Sequence, residues 1–390
     1  MPDGGESVTL HAHSRIADIP ATAWDACAAS GQPFLSHGWL SALEESGSAT
    51  AQTGWQPQHL SVTGGDGQVL AVAPLYLKSH SYGEYVFDWG WAEAYERAGG
   101  RYYPKLQACV PFTPVAGPRF LFRPGADTDA AFAALASGMV TLARRLAVSS
   151  LHVTFPTGDE WRRLGAAGFL QRIGHQYIWE NQGYERFDDF LATLTARKRK
   201  TIRKERRAVA DSGLVLLPLH GGDIKPRHWD AFDRCYRATA STKWGQPYLT
   251  RDFFRRIGEC MADRIVLVLA EDDDAPVAGA LNLLGEDAIY GRNWGCVGDY
   301  PFLHFEACYY QAIDFAIAHG LRRVEAGAQG EHKIQRGYLP KETYSAHWIA
   351  DPGLADAVRR FLDRETAMMR HEIAALGDLG PYRDAGGTSR

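Results

Sequence analysis

The chain has 390 residues, 45% of them hydrophobic and 23% charged, with 42 basic against 46 acidic side chains and a formal net charge of −4. That balance excludes a disordered, fibrous or collagen-like protein and a nucleic-acid polycation, and the length asks for two or three domains. The six cysteines form no CxxC pair, as expected of reduced, mostly buried thiols in a cytosolic compartment; Met1–His13 lacks the apolar core of a signal peptide, and no run of about 18 apolar residues could span a membrane.

In chain order, Gln68–Leu75 is a strand after the turn Gly64–Gly67, and the next run ends at Trp89-Gly90. Ala130–Ala147 has helical spacing, Leu151–Phe155 is a short strand, and Gly168-Phe169-Leu170 opens a strand reaching Trp179. The second half repeats this order. Glu271–Asp274 is a turn, Pro276–Leu283 a strand, Trp294-Gly295 the end of the next, Leu303–His319 a helix and Arg323–Ala326 a strand; Gly337-Tyr338-Leu339 then leads to Trp348. Gly168 and Gly337, like Trp179 and Trp348, lie 169 residues apart. Shared order at so long a period indicates duplicated domains rather than solenoid repeats. Each copy reads as helix, β-hairpin, strand, helix, strand, short helix, strand, so the fold class is α/β with mixed sheets. The polar stretch Glu180–Gly183 places the boundaries at 1–183 and 184–350, followed in 351–390 by a helix over Leu354–Ala375 and a frayed Gly-rich tail from Gly377.

Four segments could carry chemistry. Arg197–Arg207 holds eight cations and one anion, with Leu191, Leu194, Ile202 and Val209 at helical spacing. The run contributes +7, leaving −11 for the rest of the chain. Such density repels itself unless a phosphate-bearing ligand or an anionic surface relieves it, although a solvated helix face is the plain alternative. Ser241–Thr250 is a Trp- and Gly-containing loop between helices that either covers a pocket or merely joins them. Asp287–Leu303 reads as a strand, a loop and a helix start, which puts His304 and Glu306 in the first turns of a helix whose amides attract anions. Glu325–Tyr338 places Glu331, His332 and Lys333 beyond the end of a buried strand, where open α/β sheets bind ligands; an acid, a base and an oxyanion partner are all available there. The matching stretch Phe155–Arg162 of the first copy has neither the His nor the Lys, so the second copy is expected to keep the chemistry. HExxH, Ca²⁺-loop, GxSxG, P-loop and dinucleotide signatures are absent, and no metal is expected.

The motifs RKRKTIRKER at 197–206, KWGQPYLT at 243–250, YGRNWG at 290–295, LHFEACYYQ at 303–311 and GAQGEHK at 327–333 resemble the FemAB-like N-acyltransferases of the GNAT superfamily, from about Ile16 to Asp351. The resemblance implies two tandem GNAT-like acyltransferase domains, the first degenerate (structural or acceptor-binding) and the second active. It implies transfer of an acyl group from an activated donor to an amine. Members with this pattern include bacterial ceramide synthases, which acylate a sphingoid long-chain base from acyl-CoA or acyl carrier protein. Other Fem relatives use aminoacyl-tRNA and a peptidoglycan precursor, and a non-catalytic lipid or cell-wall binding module is a further alternative. On this reading His332, Lys333 and Glu306 are catalytic. Arg199, Lys200, Arg203, Lys204 and Arg336 hold the donor's phosphates. Lys243, Trp244, Tyr248, Arg292, Trp294, His304 and Glu331 line the substrate. Cys308 is expected in the core, and the location is cytoplasmic with peripheral contact to an anionic inner-membrane surface. Trp244, which has no counterpart in the first copy, is the Trp most expected at the site.

Overall fold

The computed structural model describes residues 8–29, 31–243, 246–327 and 330–383. Its strands are β1 (Thr9–His13), β2 (Trp55–Pro57), β3 (His59–Thr63), β4 (Val69–Ala73), β5 (Tyr76–Lys78), β6 (Lys105–Ala108), β7 (Leu121–Phe122), β8 (Ser150–Thr154), β9 (Leu170–Glu180), β10 (Val215–His220), β11 (Ile265–Asp272), β12 (Ala275–Leu284), β13 (Ala288–Cys296), β14 (Arg323–Glu325) and β15 (Leu339–Ile349). The chain divides into two compact units, Met1–Gly174 with Thr343–Arg370, and His175–Glu342 with His371–Arg390. The dividing points therefore fall inside β9 and β15, not at the expected 183/184 and 350/351. The cause is strand pairing. Ser345–Ile349 of β15 pairs with β8 of the first unit, and Ile178–Glu180 of β9 pairs with β14 of the second.

The first unit has a main sheet in the order β2-β5-β6-β8-β15 and a smaller one in the order β1-β3-β4-β7. Its hairpin is broken at Gln58 and at Pro74-Leu75, so the turn end peels away into the smaller sheet. The parallel pair β6–β8 is joined through the helix Thr128–Arg145, whose first amides are capped by the Asp127 carboxylate. Ala131, Phe132, Leu135, Ala136, Met139 and Ala143 recur every three or four residues and pack on Leu106, Leu151 and Val153.

In the second unit, β10 to β13 form an antiparallel meander, β14 joins β13 in parallel, and β9 closes antiparallel to β14. The two units thus share a parallel pair flanked by an antiparallel closing strand, which is the expected mixed α/β class. Trp179 pairs with Val324 and Trp348 with Leu151, so this echo is structural. The other is not: Trp294 lies within β13, whereas Trp89 starts the helix Trp89–Arg97, the chain having left the sheet at Lys78. The tail also differs from expectation. The final helix runs Pro352–Asp378, and the chain stays tied down through Arg383 because Tyr382 bridges to Leu194 and donates its hydroxyl to the Gly337 carbonyl at 2.7 Å.

One glycine in the second unit is required by close approach. A Cβ on Gly295 of β13 would sit 2.2 Å from the Cys235 carbonyl carbon and the Tyr236 nitrogen, both backbone atoms of the helix Pro226–Lys243. Gly295→Ala must therefore push helix from sheet. Thermal or denaturant unfolding is expected to show a loss of about 1–3 kcal/mol, the usual cost of overpacking, and wild-type stability in that variant would contradict the packing described.

Candidate functional site

β13 and β14 pair only through Ala288–Tyr290 and Arg323–Glu325. Beyond that point β13 continues to Cys296, while the other chain turns away at Ala326-Gly327, where Gly327 has φ +79°. The parallel strands therefore part, and the edges of the opening are free to carry side chains.

The segment after Gly327 returns as a 3₁₀ turn, Glu331–Arg336, between Gly330 at φ +105° and Gly337 at φ +91°. A Cβ on Gly330 would meet the His332 ring at 2.5 Å, so both conformation and space call for glycine. This turn buries Lys333, whose Nζ donates to the Gly327 carbonyl at 2.9 Å. Burial is the main cause that pushes the Lys333 amine down to about 7; Arg292 on β13 pushes the same way and Cys308 opposes them. Among the described residues of the opening this amine is set to change charge near neutrality.

The helix on the other side is interrupted. Leu303–Phe305 is α-helical, Glu306–Tyr310 is a π-turn and Gln311–Ala318 resumes the α-helix. Such bulges re-aim side chains and recur at functional sites. Here the Tyr309 hydroxyl meets His332 Nε2 at 2.9 Å, and the His304 ring lies 5.3 Å from Trp294, 5.2 Å from Tyr309 and 6.1 Å from His332. Phe305 lies 5.7 Å from His332. The structure thus brings together Lys333, His332, His304, Trp294 and Arg292 from the expected set. It adds Tyr309, which lies in the motif at 303–311 but was not among the expected site residues.

Other expected residues are committed elsewhere. Glu306 is buried and accepts from Arg206 at 3.0 and 3.2 Å and from Gln311 at 2.9 Å. Arg336 donates to Glu205 at 2.7 Å and to the His332 carbonyl at 2.8 Å, and its guanidinium lies 3.3 Å from the Phe305 ring centroid. Glu205, the one acid of the basic run, also accepts from the Tyr310 hydroxyl. This buried Glu205–Arg336–Tyr310 brace fixes the turn that carries His332 and Lys333. The stripe Ile202, Glu205, Val209 is the signal that could have found it, since all three are buried. Glu331 is exposed, with its charge reaching the Tyr177 phenol, and Tyr248 is half-buried. Trp244 and the Lys243 side chain lie outside the described residues.

The basic run is a helix, Ala196–Ala210. Lys200, Arg203 and Lys204 are exposed and Arg199 half-exposed; Arg203 pairs with Asp188 at 2.8 Å. Arg203, Arg206 and Arg207 line a surface hollow of about 360 Å³ together with Phe187 and Leu191.

In the first unit the equivalent end of the parallel pair is filled by protein. The fully buried Arg119 donates to the carbonyls of Thr154 at 2.9 Å and Val115 at 2.7 Å, and the Gly117 amide donates to the Phe155 carbonyl at 3.0 Å. The same unit holds a cluster that sequence reading missed. Lys105 and Lys78 are register partners on β6 and β5, both fully buried. Lys105 Nζ donates to Ser81 Oγ at 2.7 Å, Glu84 Oε2 at 2.7 Å and Asp88 Oδ2 at 2.5 Å. Tyr102 also donates to Asp88 at 2.7 Å.

No group of three or more His, Cys, Asp or Glu among the described residues could hold a metal ion, and no helix among them is long and apolar enough to cross a membrane.

None of the curated protein sequences matches this chain. Among solved structures, FemX is similar with a TM-score of 0.54 and 13% identity over 90% of this chain and 100% of that one. The C-terminal domain of a candidate lysylphosphatidylglycerol synthetase from Agrobacterium fabrum has a TM-score of 0.54 at 11% identity over 88% and 94%. L-PGS from Bacillus licheniformis has a TM-score of 0.50 at 11% identity over 83% and 95%. At these identities the likeness is one of fold. The FemAB-like family model, described as peptidoglycan biosynthesis/recognition, matches residues 15–384, and the chain belongs to that family.

Proposed function

We propose that this chain is an N-acyl or aminoacyl transferase that joins an activated acyl group to a primary amine at the open end of β13 and β14. The observation that carries the reading is Lys333, a buried amine held near neutrality beside a parting parallel pair. Amine acylation needs a neutral nucleophile, a stabilised oxyanion and a protonated leaving group. Above about pH 7 Lys333 is the free amine and takes the proton of the attacking nitrogen. The C–N bond forms, and the tetrahedral oxyanion then faces a newly charged Lys333 and the Arg292 guanidinium. As the bond to the leaving sulfur or oxygen breaks, Lys333 returns the proton to that atom. His332, held by Tyr309, serves as the positioned alternative base. Unit 1, with its equivalent opening filled by Arg119, supports the fold or the acceptor, and the reaction centre belongs to unit 2.

For the substrates, we favour a fatty acyl thioester (acyl-CoA or acyl carrier protein) and a lipidic amine such as a sphingoid long-chain base. The aromatic lining of Trp294, Phe305 and Tyr309 supports this. The second reading, an aminoacyl-tRNA donor and a peptidoglycan-precursor amine, is favoured by the family's description. Arg199, Lys200, Arg203 and Lys204 would hold phosphates in either case.

Incubation with acyl-CoAs plus long-chain bases, and separately with charged tRNA plus peptidoglycan precursors, followed by mass spectrometry for amides, distinguishes the two. Arg199→Gln/Lys200→Gln/Lys204→Gln is expected to raise the donor KM about ten-fold or more with kcat little changed, more strongly at low salt. No amide from either set would defeat the transferase reading.

A further inference from the structure

The segment Ser79–Trp89 between β5 and β6 has two opposite faces. Inward, Ser81, Glu84 and Asp88 grip the buried Lys105, and Lys78 lies 3.8 Å from Glu84, donates to the Tyr82 carbonyl at 3.3 Å and sits 3.4 Å over the Trp55 ring. Outward, Tyr82, Phe87 and Trp89 are 58%, 53% and 39% exposed, with the Tyr82 and Trp89 rings 4.9 Å apart. The interior charges fix the backbone, so these rings cannot turn inward without breaking buried ion pairs. Aromatic side chains are thus presented to solvent on an anchored frame.

A helical stripe adjoins them. Arg172 donates to the Phe87 carbonyl at 2.7 Å and to Glu365 at 2.6 and 2.7 Å, linking the segment to the helix Pro352–Asp378 and neutralising that acid. Ala357, Arg360, Phe361, Arg364 and Met368 follow at helical spacing and are all exposed, Phe361 at 40% and Met368 at 71%. Arg360 and Arg364 line a shallow surface hollow with Ala357 and Asp363.

We propose that Tyr82, Phe87, Trp89, Phe361 and Met368, flanked by Arg360 and Arg364, form a surface that docks on an anionic lipid bilayer at headgroup depth. The composition decides for this partner. Tyr and Trp, with an apolar body and a polar tip, favour the headgroup layer, and arginines beside them match anionic headgroups. The basic helix Ala196–Ala210 is the poorer anchor. Its apolar side chains Ile202 and Val209 are buried, so it has charge but nothing to insert.

The test is co-sedimentation of the full chain with vesicles of phosphatidylcholine alone or mixed with phosphatidylglycerol. Wild type is expected to bind the mixed vesicles better. Tyr82→Ser/Phe87→Ser/Trp89→Ser should lower partitioning about ten-fold or more. Phe361→Ser/Met368→Ser should lower it less, and Arg360→Gln/Arg364→Gln should remove only the advantage of the anionic lipid. Circular dichroism melts at the wild-type temperature establish that each variant is folded, and the single variant Phe87→Ser serves if the triple is not. Wild type that ignores both vesicles, or folded variants that bind like wild type, overturns the proposal. A concentration-dependent dimer that the aromatic variants abolish would give the surface to a second copy, and overturns it as well. Because vesicle binding is read without turnover, the outcome is independent of the transferase reading.

Discussion

Lys333→Met is expected to lower turnover about 10²–10⁴-fold while leaving the protein as stable as wild type or slightly more so. Methionine matches the length of the lysine stem and suits a buried position, and it removes an amine that burial pushes down to about 7. A positioned general base contributes about 10²–10⁴-fold, and the fall should appear in kcat with little change in KM. The pH profile carries the sign. The ammonium form predominates below about 7 and the free amine above it, so wild-type kcat should rise through about pH 7 and then level off. Lys333→Arg separates base from cation. Guanidinium keeps the charge but cannot accept a proton, so the variant should be as inactive as methionine. Activity retained in Lys333→Arg, or a wild-type rate that falls as pH rises through 7, would show that Lys333 acts as a fixed cation instead.

The largest expected stability effect lies in the first unit, far in sequence from that chemistry. Lys105→Met leaves Glu84 and Asp88 buried with their principal cation gone, a situation that costs about 3–5 kcal/mol. For a unit of this size that corresponds to a fall in melting temperature on the order of 10 °C. Adding Glu84→Gln and Asp88→Asn to Lys105→Met should recover much of the loss, because a neutral set leaves no uncompensated charge. Burial alone would raise the Asp88 carboxyl, but Lys105 and His152 override it and hold it well below the usual range. That contribution is present above the unfolded carboxyl value and disappears as pH falls below about 4. For Glu84 burial wins over Lys105 and lifts the carboxyl to about 7, so folding gains stability as pH drops from about 7 towards 4.5. The penalty of Lys105→Met should therefore be larger at pH 7 than at pH 5, where the orphaned carboxyls can take up protons. Equal unfolding free energies for wild type and variant at pH 7 would show that the cluster does not carry the load assigned to it.

Much of the second unit was legible because its signals are local. The basic helix, the Gly-rich approach to His332-Lys333 and the helix after Trp294 each occupy one short window of sequence. The Trp179 and Trp348 echo was legible for the same reason: each is the last residue but one of a strand of like length begun by Leu170 and Leu339. What could not be read depends on pairing between distant segments. Lys78 and Lys105 look like solvent-exposed ends of short strands until β5 and β6 are set in register and the segment Ser79–Trp89 is folded over them. Glu306 and Arg336 have the right chemistry for a site, and only the positions of Arg206 and Glu205 show that both are braces. The π-turn that brings Tyr309 to His332 leaves no mark in a helical pattern.

The exchange of closing strands has a consequence for how this duplication can be taken apart. A fragment ending after the first repeat would lack Ser345–Ile349 and leave β8 with a bare edge, although all five of its residues are buried in the intact chain. Such an apolar, unpaired edge invites association with other copies. The second repeat alone would lack the β9 residues that cover β14. Either repeat expressed alone is therefore expected to associate or unfold. A viable truncation is expected to carry the closing strand that its unit takes from the other repeat.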